Sequence, residues 1–441
     1  MRSTFILLCL FITVICDAQE KKWTLQECMQ YAVENSPRVH AKEAKTNIDT
    51  QNYIEAVGRL LPSVNAGSSI DYRFGRGLDA ETNTYTSVNS FSNNYNLYSS
   101  MRLFDGMSSI ATIRMHKVNR LMGREELQEV KDMLAYETME AYFNVLFYKE
   151  MVKLAEQQLA ASVDNLKQVR RMEELGMKGV PDVAEMQAKE ATDNYKLTCQ
   201  RNIQTLAIIK LKEKMNFPID QDLDIADYIS EEGINKYHES AMDIYQSSLT
   251  FLPKALATDA SVEAQRLSYQ SAKGSLLPSI TAEAGISTNF SHYMDGTSYA
   301  KFNDQFRDKR GSYIGFTLSI PILNGFSNTA RIQRSKSQLQ IAKSERAETL
   351  RILYSEIEQA VADMNGQSDE YLQAKKQAEA MIIADNVNKR KYKEGLISAI
   401  DLHTSSNRLL ESKIVELNAR FKYYLKSKLV NYYKGESYIS E

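Results

Sequence analysis

Any chemistry in this chain would have to come from its histidines, cysteines and carboxylates. His40, His116, His238, His292 and His403 are scattered, and none forms a metal-ligand pair at helical or turn spacing. Asp220, Asp222, Asp224 and Glu231 imitate the spacing of a calcium loop. Ile225, however, stands where that loop needs glycine for its sharp turn, so the stretch reads as a solvated acidic linker. No phosphate-cradling loop, dinucleotide fingerprint or nucleophile elbow is present. The residues argue against an enzyme, and no cofactor or metal is expected. What does recur is a turn: Gly176, Gly179 and Asp182 return 219 residues later as Gly395, Ser398 and Asp401. Taken alone, the two glycines end helices and Asp401 caps the start of the last one.

The recurring turn belongs to a larger duplication. Gly58-Arg59-Leu60-Leu61-Pro62-Ser63 returns as Gly274-Ser275-Leu276-Leu277-Pro278-Ser279, 216 residues on, and Pro37 returns as Pro253. Leu103-Phe104-Asp105-Gly106 returns as Ile322-Leu323-Asn324-Gly325, 219 residues on. A constant offset on each side of a three-residue insertion marks two tandem copies of one unit: helix, hairpin, very long helix, turn, helix. The expected division is a signal peptide over 1–18, a first repeat over 19–216 with its hairpin at 62–104, and a linker over 217–239. A second repeat over 240–434, with its hairpin at 278–323, and a tail over 435–441 follow.

Between the matching ends the pattern has period two. Val64, Ala66, Ile70 and Tyr72 alternate with Asn65, Gly67, Asp71 and Arg73; Ile314, Phe316, Leu318 and Ile320 do the same in the second copy. Such strands are apolar on one face only. Polar loops over 76–92 and 293–310 are long enough to expect a function or disorder. From about 107 to 175, and again from about 327 to 394, no proline interrupts the chain. Helices of that size would be ~100 Å long. Val145, Val152, Leu159 and Leu166 fall every seven residues, with Tyr148, Ala155, Ser162 and Val169 three further on, a coiled-coil seam. Returning helices are expected over 182–215 and 400–433, and a single helix over 240–273.

Arg2, the apolar run 5–15 and the small residues at 16–18 read as a secretory signal. Cleavage there removes Cys16 and leaves Cys28 and Cys199, which read as unpaired core cysteines. Formal net charge is −2, so there is no electrostatic case for nucleic acid. No other apolar run has the ~20 residues of a transmembrane helix. A secreted chain of this kind enters a membrane only through strands closed into a barrel. Four strands are too few, so several chains would have to share one: two would supply eight strands and three would supply twelve. Tyr72, Phe74, Tyr95, Tyr98, Phe104, Phe290, Tyr313 and Phe316 are candidates for aromatic girdles.

At this point the chain resembles the TolC-like outer-membrane efflux proteins, the outer membrane factors. The resemblance rests on Trp23-Thr24-Leu25-Gln26-Glu27, Asn35-Ser36-Pro37, the two Leu-Pro-Ser sites and Pro321-Ile322-Leu323-Asn324-Gly325. It is completed by Tyr392, Gly395, Asp401 and Leu402 in family spacing. It implies a mainly α chain with long antiparallel coiled-coil-like helices and four transmembrane strands. Three such chains form a homotrimer with a 12-strand β-barrel atop an α-helical barrel. It also implies residence in the bacterial outer membrane, in contact with its lipid, with a long periplasmic part. The function implied is passive conduction in a tripartite efflux or type I secretion system. The partners would be a periplasmic adaptor (membrane fusion protein) and an inner-membrane transporter of RND or ABC type.

The resemblance further implies a gate at the periplasmic tip. Tyr392 resembles the gate tyrosine, Asp182 its carboxylate partner in the other copy, and Asp401 the first of two pore-facing aspartates. Ile397 stands in place of a gate arginine and Thr404 in place of the second aspartate. Adaptor contacts are expected around Gly176, Gly179, Gly395 and Ser398. The competing reading is a periplasmic coiled-coil tether without a channel, which lacks the short-strand domains that adaptors usually carry.

Overall fold

The computed structural model describes residues 22–78, 83–87, 89–227, 238–294 and 300–439. The signal segment, Glu231 of the imitation calcium loop and Cys16 lie outside the described residues. In chain order the elements begin with β1 (Lys22–Trp23), α1 (Leu25–Asn35) and α2 (Pro37–Gly58). The first hairpin follows as β2 (Ser63–Arg73), β3 (Arg76–Leu78), β4 (Tyr85–Ser87) and β5 (Ser90–Phe104). Then come α3 (Ser108–Glu174), α4 (Val180–Met215), β6 (Asp224–Ile225), α5 (Ala241–Ser248) and α6 (Pro253–Gly274). The second hairpin is β7 (Ser279–Tyr293), α7 (Phe302–Asp308) and β8 (Gly311–Ser319), followed by α8 (Ser327–Lys393) and α9 (Ala399–Tyr433).

The chain divides into two compact units that cut across the sequence copies. One holds Met1–His40, Val130–Ser248 and Tyr354–Glu441; the other holds Ala41–Glu129 and Leu249–Leu353. The first unit is built on helices. Thr24 and Glu27 form a capping box that starts α1, with Glu27 N–H 3.3 Å from Thr24 Oγ1 and Thr24 N–H 2.9 Å from Glu27 Oε2. Cys28, Met29 and Ala32 on the next turns are buried. The coiled-coil seam of α3 is buried at Val145, Val152, Ala155, Ser162, Leu166 and Val169. It packs on α4, where Leu197 meets Val152 and Ala155, with Leu159 alongside. Small residues at these positions let the helices approach closely. The acidic stretch after α4 is not simply solvated. Leu223 and Ile225 are buried, Ile225 pairs in parallel with Trp23, and Lys149 Nζ sits 3.0 Å from Asp227. Burying two aliphatic side chains outweighs the partial desolvation of Asp224 between them, whose carboxylate stays half-exposed.

The second unit is built on one antiparallel sheet in the order β2-β5-β7-β8. The two hairpins join because β5 pairs with β7 over most of their length, Phe91 facing His292 and Leu97 facing Ile286. Along β8 the apolar side chains are bare: Ile314 is 79% exposed and Phe316 71%. The register puts Tyr72, Tyr95, Phe290 and Phe316 on that apolar face, but Tyr98 and Tyr313 on the polar one. There they flank Gly285, where a Cβ would lie 2.6 Å from the Tyr313 ring. Both long loops are partly ordered, the first by the β3–β4 pair and the second by α7.

Two further departures have local causes. The helix expected over 240–273 is two, α5 and α6, because Leu252 is held extended ahead of Pro253, which opens α6. The strand β5 begins at Ser90 rather than near Tyr95, since Ser92 and Asn94 pair with Asp71 and Ser69 although they carry no apolar signal. Gly106 precedes α3 with φ +66°. A Cβ there would lie 2.3 Å from the Gly274 carbonyl oxygen, so this crossing with the end of α6 excludes any side chain.

Candidate functional site

The two recurring turns close their helices in the same way. Gly176 has φ +72° and Gly395 φ +73°. Met177 N–H reaches back to Met172 O at 2.8 Å, and Leu396 N–H to Lys391 O at 2.9 Å. This is the Schellman arrangement, which satisfies carbonyls left over at a helix end and wants glycine in the left-handed position. Each turn then opens the next helix with a carboxylate three residues past the cap. Asp401 Oδ2 accepts from the Ser398 hydroxyl at 2.8 Å and from the Ser398 N–H at 3.1 Å, while Asp401 N–H donates to Ser398 Oγ at 3.2 Å. Asp182 accepts only the Gly179 N–H, at 3.1 Å, with Lys178 at 3.5 Å. These bonds hold the Asp401 carboxyl below the usual carboxylate range, the Ser398 hydroxyl contributing most.

Beside the turns, Leu166 and Val169 of α3, Val183 and Met186 of α4, Tyr392 of α8 and Ala399 and Leu402 of α9 form one buried cluster, with Ile397 at its edge. The structure therefore gathers Tyr392 and Ile397 and sets Asp182 nearby. The Tyr392 hydroxyl is buried with no hydrogen-bond partner among the described residues. Burial pushes its pKa up, and Asp182 and Glu185 add to the effect. Asp182 is thus close enough to be felt, but its bonds go to its own turn. Thr404 is exposed, and its hydroxyl donates to Ile400 O at 2.9 Å.

Above this cluster lies a layer of buried charge that sequence reasoning missed. Asp193 is 1% exposed; it pairs with Lys189 at 2.8 Å and accepts the Ser162 hydroxyl at 2.8 Å. Lys189 also donates to Asn407 Oδ1 of α9 at 3.3 Å. A second pair, Asp385 with Lys389 at 2.7 Å, is tied to Ser406 of α9 at 3.0 Å. His403 Nε2 is buried without a partner among the described residues, and burial, helped by Lys189, lowers the pKa of its ring. Asp193 could have been found: Val183, Met186, Asp193 and Leu197 fall at seam spacing on α4, and a charge on a seam is the signal. Asp385 gives the same signal, since Tyr371, Ala378, Asp385 and Tyr392 fall every seven residues on α8.

No cluster of metal-ligating side chains occurs among the described residues, and no described helix is long and apolar enough to cross a membrane. A buried hydrophobic cluster bordered by turn carboxylates holds the helix ends together. Comparison with known proteins gives this arrangement its setting. The family model "Outer membrane efflux protein" matches residues 244–428. The outer membrane efflux protein BepC of Brucella suis biovar 1 (strain 1330) is 24% identical over 76% of this chain and 68% of its own length. The outer membrane protein TolC of Escherichia coli (strain K12) is 21% identical over 90% and 79%. Among solved structures, CusC superposes with a TM-score of 0.79 at 15% identity, covering 93% of this chain and 92% of that one. The open-state MtrE outer membrane channel of Neisseria gonorrhoeae gives 0.74 at 17% identity, covering 94% and 89%. The fold is that of the outer membrane channel proteins. The chain is similar to the outer membrane efflux proteins in sequence over residues 244–428 and in fold over most of its length.

Proposed function

We propose that three copies of this chain form an efflux channel in the bacterial outer membrane, with their sheets joined into one 12-strand barrel and their long helices forming the duct beneath. One observation carries the reading. The sheet has two unpaired edges, β2 and β8, and one bare apolar face, in a chain related to outer membrane efflux proteins. In water such edges and such a face promote aggregation. Joined β2 to β8 around an axis and set in lipid, both are satisfied. The relatives and structural neighbours are channel proteins, and the tether reading finds no counterpart among them. Energy and cargo choice then come from an inner-membrane transporter of RND or ABC type through a periplasmic adaptor. The exposed apolar residues Met177, Val180, Leu396 and Ile400 at the turns suit adaptor contact. The test is the detergent-corrected mass of the protein extracted from outer membranes, followed by conductance in planar bilayers. A conducting trimer is expected; a soluble monomer without channel activity overturns the reading.

Within that trimer, three Asp401 carboxylates would ring the axis and favour cations. With Ile397 and Thr404 in place of a gate arginine and a second aspartate, closure and cation block would both be weak. Asp401→Ala is expected to reduce cation selectivity. Micromolar block by divalent cations that survives this substitution would remove Asp401 from the role. The two tandem copies, 19–216 and 240–434, are proposed as the repeating half-units of the barrel wall.

A further inference from the structure

The helix α7 lies on the apolar face of the sheet, and its fit is specific. The strand β8 begins only opposite Ser287, leaving the last six residues of β7 without a neighbour on that side. Gln305 takes the missing strand's place. Its side chain, almost fully buried, accepts the Ser291 N–H at 3.2 Å and donates to the Ser291 carbonyl at 3.0 Å. One amide thus meets both backbone groups of an open edge. Thr288 donates to the Phe306 carbonyl at 2.7 Å. Phe306 stands edge-on to Tyr95 at 5.4 Å and Phe302 packs on Phe290 at 5.3 Å. Above this line α7 covers Thr288 and packs on Phe290, while Ile70 and Tyr72 on β2 stay exposed; below it, Leu97, Ile286, Ile314, Phe316 and Leu318 are bare.

The position of that line matters. From Ser319 to Gly311 the strand β8 rises roughly 27 Å along its own axis. With the strand tilt usual for membrane barrels that is about 20 Å of height, close to the apolar band such barrels present to lipid. The helix therefore sits where hydrocarbon gives way to headgroups. Beneath it runs a groove of about 530 Å³, floored by Ala66, Leu97 and Ile286 and roofed by Phe306, with Arg310 at its rim. It continues past Leu97 and Ile286 into a second of about 590 Å³ reaching Val64 and Ile314. Two of the cations on α7 and its flanks are occupied: Arg307 pairs with Asp308 at 2.9 Å, and Lys309 donates to Ser291 Oγ at 2.9 Å; Lys301, at the other end of the helix, does not line the groove. The Arg310 guanidinium has no acceptor among the described residues.

We propose that this groove binds a phosphorylated lipid of the outer leaflet, its acyl chain along Leu97 and Ile286 and its phosphate on Arg310. A guanidinium suits phosphate because its fork of donors matches two oxygens at once. The inference rests on the barrel reading above, which sets the apolar face in lipid. The test uses the full protein purified in detergent and offered diphosphoryl lipid A, with retained lipid counted by native mass spectrometry. Arg310→Glu should reduce retention at least tenfold and Arg310→Lys less than threefold, with bilayer conductance unchanged in both. Equal retention by wild type and Arg310→Glu, or no retention by wild type, overturns the proposal. So does loss of the lipid to millimolar inorganic phosphate, because a free-anion site would then suffice. If the wild-type protein forms no channel, the barrel reading fails instead, and conductance separates that failure from failure of the lipid site alone.

Discussion

The turn after α3 and the turn after α8 are the same device built twice, and they differ at one position that matters. Both end a 67-residue helix with a left-handed glycine and a Schellman bond. Both place a carboxylate at the third position of the next helix. At the first turn the cap is Gly179, so Asp182 holds one N–H. At the second the cap is Ser398, so Asp401 takes part in a full reciprocal box. Duplication conserves what backbone geometry demands and leaves free what side chains supply. The neighbours diverge as well: His403, half-buried in the second copy, matches Ala184 in the first.

The comparison can be broken most severely at the cluster both turns share. Tyr392→Ala should destabilise the helical unit by about 3 kcal/mol, as aromatic truncations in packed cores do, read as a lower denaturant midpoint. Tyr392→Phe should change the same midpoint by less than about 1 kcal/mol, since the hydroxyl it removes is buried without a partner among the described residues. A large loss on Tyr392→Phe would mean that the hydroxyl is bonded in the assembly. Gly176→Ala and Gly395→Ala each have open space for a Cβ and differ only in strain, so each should cost about 1–2 kcal/mol and by equal amounts. Unequal losses would show that the two turns carry different loads.

The pH response sharpens the contrast. His403 is harder to protonate folded than unfolded, because burial and Lys189 oppose its charge, while Glu185 and Asp193 partly offset them. The unfolded chain then binds the proton first. Stability is full above the ordinary histidine pKa of about 6.5 and declines as pH falls towards the lowered folded value. His403→Ala, which makes the position match Ala184, should flatten the melting temperature over that range. The smallest effect belongs to Ser398→Gly, which turns the second cap into the first at a cost of a few tenths of a kcal/mol. It should also let the Asp401 carboxyl climb back towards its usual range, followed by carboxyl NMR. The Asp401 contribution is present above the unfolded carboxylate pKa of about 3.9 and is lost as pH falls through the lowered folded value.

Much of the molecule was readable before folding. Strand alternation, proline-free runs bounded by glycine, and Thr24 with Glu27 are local rules, and each predicted its element to within a few residues. The two offsets added order, since a duplicated pattern constrains both copies at once. The proposed roles of Asp401, Thr404, Tyr392, Asp182 and Ile397 came from family resemblance, and the chain supplies their geometry, not their use. Some features were out of reach. The polar residues of β5 join the sheet because their backbones pair with β2, a nonlocal gain that carries no side-chain signature. The ordering of α7 depends on Gln305 finding the bare edge of β7, and one glutamine in a loop announces nothing.

Local periodicity and turn chemistry were enough to place the long helices and the paired strands to within a few residues, because those choices are made within a few residues of chain. Which charges are buried, where α7 covers the sheet's apolar face, and why the Tyr392 hydroxyl has no hydrogen-bond partner among the described residues were decided by tertiary structure. Each depends on groups far apart in sequence that meet only when the helices and strands pack, and there desolvation and edge pairing outweigh local preference.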